Sequence, residues 1–122
     1  MKTALLVMVH GSPRPASNGA MFDVVEMVKA RGVFDFVTVG FMECNEPTIP
    51  EAAAQCVEFG AEKVVAVPYF LHSGSHVADD LPTLLEEAHQ QYPDVQWLMG
   101  DYLGRDELVA DVVMERVREV AA

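Results

Sequence analysis

The feature of this sequence that most restricts its fold is a fourfold alternation between short apolar runs and segments with helical spacing of apolar residues. The apolar runs are 4–10, 34–43, 63–71 and 95–100, and the helical segments are 17–31, 49–60, 78–93 and 105–120. Strands that are separated by single helices pair in parallel through right-handed crossovers. Because continuous apolar runs are typical of strands buried on both faces, we expect a three-layer α/β sandwich.

The predicted sheet has four parallel strands in the order 2-1-3-4 with helices on both faces, as in flavodoxin-like proteins. The second helix has Pro50 near its start and Gly60 at its end, the usual placement of these two residue types. Pro68 lies near the end of the third strand, where it is tolerated only at a bulge or an unpaired position. No linker or repeat divides the chain, so we predict a single domain over residues 1–122.

Composition excludes several classes of partner. The chain has 8 Lys and Arg residues against 19 Asp and Glu residues, a net charge of −11, which argues against nucleic-acid binding. The first apolar run is too short for a signal peptide or a membrane span, so no membrane partner is expected. Cys44 and Cys56 are predicted to be reduced thiols, and the expected location is the cytoplasm.

Polar side chains follow the predicted strands at the points where the strands end. His10 follows the first strand, Glu43 ends the second, the segment 72–76 follows the third, and Asp101 follows the fourth. Ligands of open parallel sheets bind beyond the carboxyl ends of the strands. We therefore predict the functional site at this edge.

Two imidazoles and one carboxylate form a ligand set that suits Co, Ni, Fe or Zn better than Mg or Ca. His10 and His76 supply the imidazoles, and Glu43 is the preferred carboxylate because it lies closer to the strand end. Glu46 is the alternative, since the alternation of the strand does not extend into the loop. Spacing along the chain is by itself a weak indication of such a site.

The other candidates have simpler interpretations. His72 flanks the site, accepts a proton or is simply solvated, and we favour solvation; His89 is predicted to lie on the surface of the third helix. Asp79 and Asp80 fall near the start of that helix, where acidic side chains cap free N–H groups, and we predict this capping role. Arg14 could hold a substrate carboxylate or could be a mobile surface side chain.

Nucleotide binding lacks support, because the chain has neither a G-x-G-x-x-G nor a G-x-x-x-x-G-K-[ST] motif. Three segments do resemble a known family: "LLVMVHGS", "FMECNEPTIPEA" and "VVAVPYFLHSGSHVADDLP". They are similar to the short CbiX-type sirohydrochlorin cobaltochelatase/ferrochelatase family of the class II chelatase superfamily. The resemblance implies insertion of Co²⁺, Fe²⁺ or Ni²⁺ into sirohydrochlorin or a related tetrapyrrole without ATP. The metal would be a substrate, and no permanent cofactor is implied.

The resemblance also assigns residues. His10 and His76 match the two metal-binding and catalytic histidines of the family, and Glu43 matches the acidic partner, with Glu46 as second choice. Short members pair as homodimers, which implies a homodimer here. Relatives often carry Arg directly after "HGS", whereas Pro13 precedes Arg14 in this chain.

Sirohydrochlorin carries many carboxylates, which a strongly acidic chain should repel. Arg14, Arg105 and the N–H groups of Ser73, Gly74 and Ser75 ahead of the third helix are the candidates for binding those carboxylates. The alternative function is that of a non-catalytic metal- or tetrapyrrole-binding protein of the same fold. A weaker alternative is an interaction module without small-molecule chemistry.

Overall fold

The computed structural model describes residues 1–121 and contains one parallel sheet of four strands. The strands are β1 (Thr3–Val9), β2 (Phe36–Phe41), β3 (Lys63–Pro68) and β4 (Gln96–Met99). Their order is β2-β1-β3-β4, which confirms the predicted topology. The extent of the domain, 1–122, stays a prediction, and Ala122 lies outside the described residues.

Four α-helices follow the four strands, as predicted. They are α1 (Gly19–Ala30), α2 (Ile49–Phe59), α3 (Leu81–Gln91) and α4 (Glu107–Ala121). A 3₁₀ turn, Pro15–Asn18, occupies the predicted start of the first helix, so α1 begins two residues later than expected. A π-helical segment, His76–Asp80, precedes α3 and replaces part of the predicted loop.

The central strand β1 supplies both faces of the sheet with core residues. Leu6 and Met8 pack in a cluster with residues of α2 and α3, whereas Leu5 and Val7 pack in a second cluster with residues of α1. Successive side chains of a strand point to opposite faces, so every residue of β1 from Ala4 onward is buried. This explains why the first apolar run is continuous, and it confirms the layered α/β sandwich.

Pro68 ends β3 at a position where its missing N–H group costs nothing. The next residue, Tyr69, donates its N–H to the carbonyl of Met8 on β1 at 2.8 Å, so the nitrogen of Pro68 faces the opposite side. The pairing of β3 with β4 on that side has already ended at Ala66 and Met99. The expectation of an unpaired position is therefore confirmed.

Helix α4 forms where helical spacing predicts it, but none of its residues is buried. It packs extensively against no other helix or strand of residues 1–121. Six of its large apolar side chains are exposed: Leu108, Val112, Val113, Met114, Val117 and Val120. The helix therefore presents to solvent an apolar surface that the core of this chain does not use.

Both cysteines are free thiols, as predicted. Cys44 is exposed in the loop after β2, whereas Cys56 lies fully buried in α2. Burial raises the pKa of the Cys56 thiol to about 12, so this thiol stays protonated and unreactive near neutral pH. No helix within residues 1–121 combines the length and the apolar character needed to cross a bilayer.

A capping box fixes the start of α2 directly after the loop that carries Glu43. The N–H of Glu51 is donated to the Thr48 hydroxyl at 3.3 Å, and the N–H of Thr48 is donated to the Glu51 carboxylate at 2.8 Å. The hydrogen bond from the Thr48 backbone is the main cause that lowers the pKa of Glu51. The box therefore anchors the end of the loop to the first turn of the helix.

We expect Thr48→Ala to lower the free energy of unfolding by about 1 kcal/mol, because one helical N–H loses its partner. Urea denaturation at pH 7 measures the change. Thr48→Ser keeps the hydroxyl and should retain most of the stability. Equal losses in the Ala and Ser variants would contradict a role of the hydroxyl in capping.

Candidate functional site

The loops after β1 and β2 continue the pairing of the two strands. The N–H of Met42 is donated to the carbonyl of Val9 at 2.8 Å, and the N–H of Glu43 is donated to the carbonyl of His10 at 3.1 Å. This register brings the side chains together, with His10 Nε2 and Glu43 Oε1 3.0 Å apart. Glu43 is thus the carboxylate that contacts His10, whereas Glu46 is exposed further along the loop.

Gly11 allows the two loops to approach. Its φ of 96° is a left-handed value that favours glycine, and a Cβ atom at this position would collide with the carbonyl group of Glu43. The neighbouring Ser12 donates its N–H to Asn45 Oδ1 at 2.8 Å. These contacts tie the His10 loop to the Glu43 loop on both sides of the His10–Glu43 pair.

Both ring nitrogens of His10 face hydrogen-bond acceptors. Its Nδ1 lies 3.1 Å from the carbonyl oxygen of Gly11, which can only accept a hydrogen bond. A neutral ring that donates from Nδ1 directs the lone pair of Nε2 at the Glu43 carboxylate, which also only accepts. Either a proton or a metal ion between the two atoms relieves this repulsion. The pair is therefore suited to exchange one cation for the other.

His76 lies beside His10, with a distance of 5.3 Å between the ring centroids. It begins the π-helical segment, in which the N–H of Leu81 is donated to the carbonyl of His76. Single π-helical turns occur frequently at functional sites. The structure therefore brings together all three residues that the sequence singles out, His10, Glu43 and His76.

Asp80 belongs to this group, and its predicted role as a helix cap is wrong. Its carboxylate makes no capping hydrogen bond and instead lies 2.8 Å from Nδ1 of His76. An acceptor at Nδ1 holds the proton there and leaves the lone pair of Nε2 free. The sequence indicates this contact only through the spacing of four residues between His76 and Asp80. That spacing brings two side chains together on one face only if a helix already begins at His76.

The site thus consists of two side-by-side pairs, His10–Glu43 and His76–Asp80. Both histidines have Nδ1 next to a local acceptor, so Nε2 is the nitrogen that each can offer to a ligand, although that of His10 already faces Glu43. The four side chains are 45, 59, 50 and 51% exposed, respectively, so the site is open. Within residues 1–121, no three His, Cys, Asp or Glu side chains are already gathered around a point that could hold a metal ion.

The remaining predicted site residues are exposed on the loops next to His10 and His76. Arg14 is exposed at the start of the 3₁₀ turn that follows the His10 loop, and its backbone N–H is donated to the Ser12 hydroxyl at 3.1 Å. Three further predicted residues, Ser73, Gly74 and Ser75, are exposed just ahead of the π-helical segment.

The two remaining histidines and the other polar strand end stand apart from the two pairs. His72 is exposed in the loop after β3, and His89 is exposed on α3 as predicted. Asp101, at the end of β4, accepts the N–H of Tyr102 at 2.9 Å.

The sequence of this chain matches a known protein family. The sequence matches the CbiX family over residues 4–120. A sirohydrochlorin cobaltochelatase of Methanocaldococcus jannaschii is 32% identical over 93% of this chain and 96% of its own length. The chloroplastic sirohydrochlorin ferrochelatase of Arabidopsis thaliana is 34% identical over 93% of this chain and 51% of its own length.

A solved structure shows the same fold. The sirohydrochlorin chelatase SirB from Bacillus subtilis subspecies spizizenii, in complex with cobalt, superposes with a TM-score of 0.92 at 30% identity. The match covers 99% of this chain and 52% of that chain. This chain therefore spans nearly the whole archaeal relative and about half of the plant relative and of the bacterial structure.

We expect Gly11→Ala to destabilise the protein by at least about 2 kcal/mol, because the new methyl group both strains the backbone and displaces Glu43. Urea denaturation measures the loss. Gly74→Ala is the matched control, since a Cβ atom there meets nothing within 4 Å and the backbone is not left-handed. Equal stability of the two variants would contradict the close approach of the loops.

We expect Asp80→Asn to weaken Co²⁺ binding about 10- to 100-fold, because His76 loses the acceptor that orients its ring. Calorimetric titration with Co²⁺ measures the affinity. Asp79→Asn removes the same charge one residue away and should bind Co²⁺ like the parent protein. If both variants lose affinity equally, the effect is one of net charge and not of the contact with His76.

Proposed function

The chain belongs to the CbiX family, and from this premise we propose that it is a metal chelatase with a single CbiX-type domain. It inserts a divalent metal, Co²⁺ or else Fe²⁺ or Ni²⁺, into sirohydrochlorin or a related tetrapyrrole. The predicted activity agrees with the names of the relatives, which include both cobaltochelatases and ferrochelatases. The observation that carries the proposal is the pairing of His10 with Glu43 beside His76 at the carboxyl edge of the sheet.

The chemistry requires an exchange of cations. Insertion replaces two pyrrole N–H protons by one M²⁺ ion, so the site must deliver the metal and accept protons. Imidazole has a reference pKa of about 6.5, which lets it do both near neutral pH. The metal is a substrate, and the reaction needs no permanent cofactor.

The two histidine pairs take different parts in this exchange. Asp80 orients His76 from behind, so that Nε2 of His76 is a steady donor for the incoming metal. Glu43 stands in front of His10, and a metal that reaches Nε2 of His10 comes between the two side chains. When the metal leaves for the macrocycle, one of the two pyrrole protons takes its place between His10 and Glu43, and the other passes to Nε2 of His76, which the metal has also left.

Binding of the tetrapyrrole must overcome the net charge of −11. Arg14 is exposed on the loop that also carries His10. Ser73, Gly74 and Ser75 are exposed ahead of the π-helical segment, and their N–H groups are our candidate donors to substrate carboxylates. The metal ion itself also reduces the repulsion between the carboxylates and the protein.

The open site supports pairing of two chains. The side chains of both histidines are half-exposed, whereas metal insertion benefits from a cleft that excludes water. We propose a homodimer in which a second copy contributes to the enclosure of the site. The two free cysteines agree with a reducing compartment, and we place the enzyme in the cytoplasm.

The test is an absorbance assay with sirohydrochlorin and Co²⁺, Fe²⁺ or Ni²⁺ under anaerobic conditions, compared with the spontaneous reaction. We expect His10→Ala and His76→Ala each to slow insertion by at least roughly 100-fold, since each removes a metal donor or a proton acceptor. His72→Ala should leave the rate unchanged.

Glu43→Gln and Glu46→Gln form a matched pair, of which only Glu43→Gln should slow insertion.

Three results would contradict parts of this proposal. No acceleration with any of the three metals would exclude the chelatase and favour a binding protein of the same fold. Normal rates in both histidine variants would show that the site lies elsewhere. Loss of activity in Glu46→Gln alone would make Glu46 the acidic partner.

A further inference from the structure

Helix α4 carries an apolar stripe that faces solvent. Val109, Val113, Val117 and Val120 follow one another at helical spacing, and the last three are 55, 45 and 88% exposed. Charged residues elsewhere on the helix pair with one another: Glu115 with Arg118 and Arg116 with Glu119. An amphipathic helix of this kind is stable when its apolar side is covered.

The face of the sheet that carries α1 has an apolar groove of about 300 Å³. It lies over β1 and β3, between α1 and the chain after β4, and its lining is entirely apolar. The residues that line it include Leu5, Val24, Val28, Val65, Val67 and Leu103. Helices α2 and α3 pack on the opposite face, so no helix within residues 1–121 covers this part of β3.

The connection between β4 and α4 is fixed where it passes the end of β3. Leu103 donates its N–H to the carbonyl of Phe70 at 2.9 Å and lines the groove. Gly104 lies so close to the carbonyl of Leu71 that a Cβ atom would not fit, and Arg105 has a φ of 68°. The chain thus turns at Arg105, and none of the residues 107–121 of α4 lines the groove.

We propose that α4 of one copy docks, through its valine stripe, in the α1-side groove of a second copy, and that the exchange is reciprocal. The stripe on α4 and the lining of the groove are both apolar and belong to the same chain. The two surfaces do not contact each other within one copy. A two-fold axis lets each copy give one helix and receive one, so both valine stripes and both grooves are covered.

The dimensions agree with this exchange. A helix of 15 residues is about 22 Å long, which matches the height of a small sheet with its loops. A reciprocal exchange buries two helices of this length, and stable interfaces bury roughly 1,200–2,000 Å² in total. The inference rests on the proposed pairing of two chains and specifies the surface through which they pair.

Disulfide trapping tests the exchange directly. In a Cys44→Ser background, Val65→Cys places a thiol in the groove and Val117→Cys places one on the stripe, while the buried Cys56 stays unreactive. We expect the two single variants, mixed and oxidised, to form a disulfide-linked heterodimer, and neither variant alone to form a disulfide-linked dimer. A chain that carries both substitutions should form dimers, whereas an internal disulfide would mean that α4 folds back into its own groove and would overturn the inference.

A second measurement keeps the inference testable if the cysteine variants do not react. We expect Val113→Lys combined with Val117→Lys to shift the mass seen by light scattering from dimer to monomer, with unchanged helical content. Asp111→Lys on the charged side is the matched control and should stay dimeric. A parent protein that is monomeric would refute the exchange, as would a stripe variant that stays dimeric.

These results separate the exchange from the chelatase proposal. Mass and cross-links are measured without substrate, and metal insertion is measured independently. A monomer that still accelerates metal insertion would refute the exchange and leave the chelatase standing. A cross-linked dimer that does not accelerate metal insertion would support the exchange and refute the chelatase.

Discussion

The hydrogen bond from the N–H of Glu43 to the carbonyl of His10 extends the pairing of β1 and β2 beyond the last residues of both strands. The register of the sheet therefore sets the distance between the His10 imidazole and the Glu43 carboxylate. That register is itself fixed by burial, because a shift of one residue would turn Leu6 and Met8 away from their core. Gly11 completes the arrangement, since only glycine lets the His10 loop come this close to Glu43.

Much of this arrangement could be predicted from the sequence. The strand order and the meeting of His10 with the second strand follow from the rule that parallel strands end at one edge. The sequence favours Glu43 over Glu46 only by its nearness to the strand end, because the actual contact depends on how Asn45 and Gly11 tie the two loops. The contact between Asp80 and His76 does not follow from the sequence, because helical spacing predicts a helix that starts at Ala78. His76 then falls in the preceding loop, where a spacing of four residues has no meaning. Helical spacing likewise predicts α4 but not the surface that covers it.

The two histidines are equivalent in the sequence but differ in the structure. His76 has its carboxylate behind the ring, at Nδ1, and His10 has its carboxylate in front, at Nε2. In metal sites, a carboxylate at the remote nitrogen orients the ring, whereas one at the near nitrogen competes for the same cation. This asymmetry gives a physical reason for a site that binds a metal and then releases it.

The central claim is that both Nε2 atoms bind the metal. Crystals soaked with Co²⁺ and measured at the cobalt absorption edge test it most directly, because anomalous scattering locates the metal without assumptions about ligands. The account predicts one strong peak at a bonding distance of about 2.0–2.2 Å from Nε2 of both His10 and His76, with Glu43 turned towards the metal. A peak at Cys44 or at carboxylates remote from these histidines, with none between them, would contradict the account.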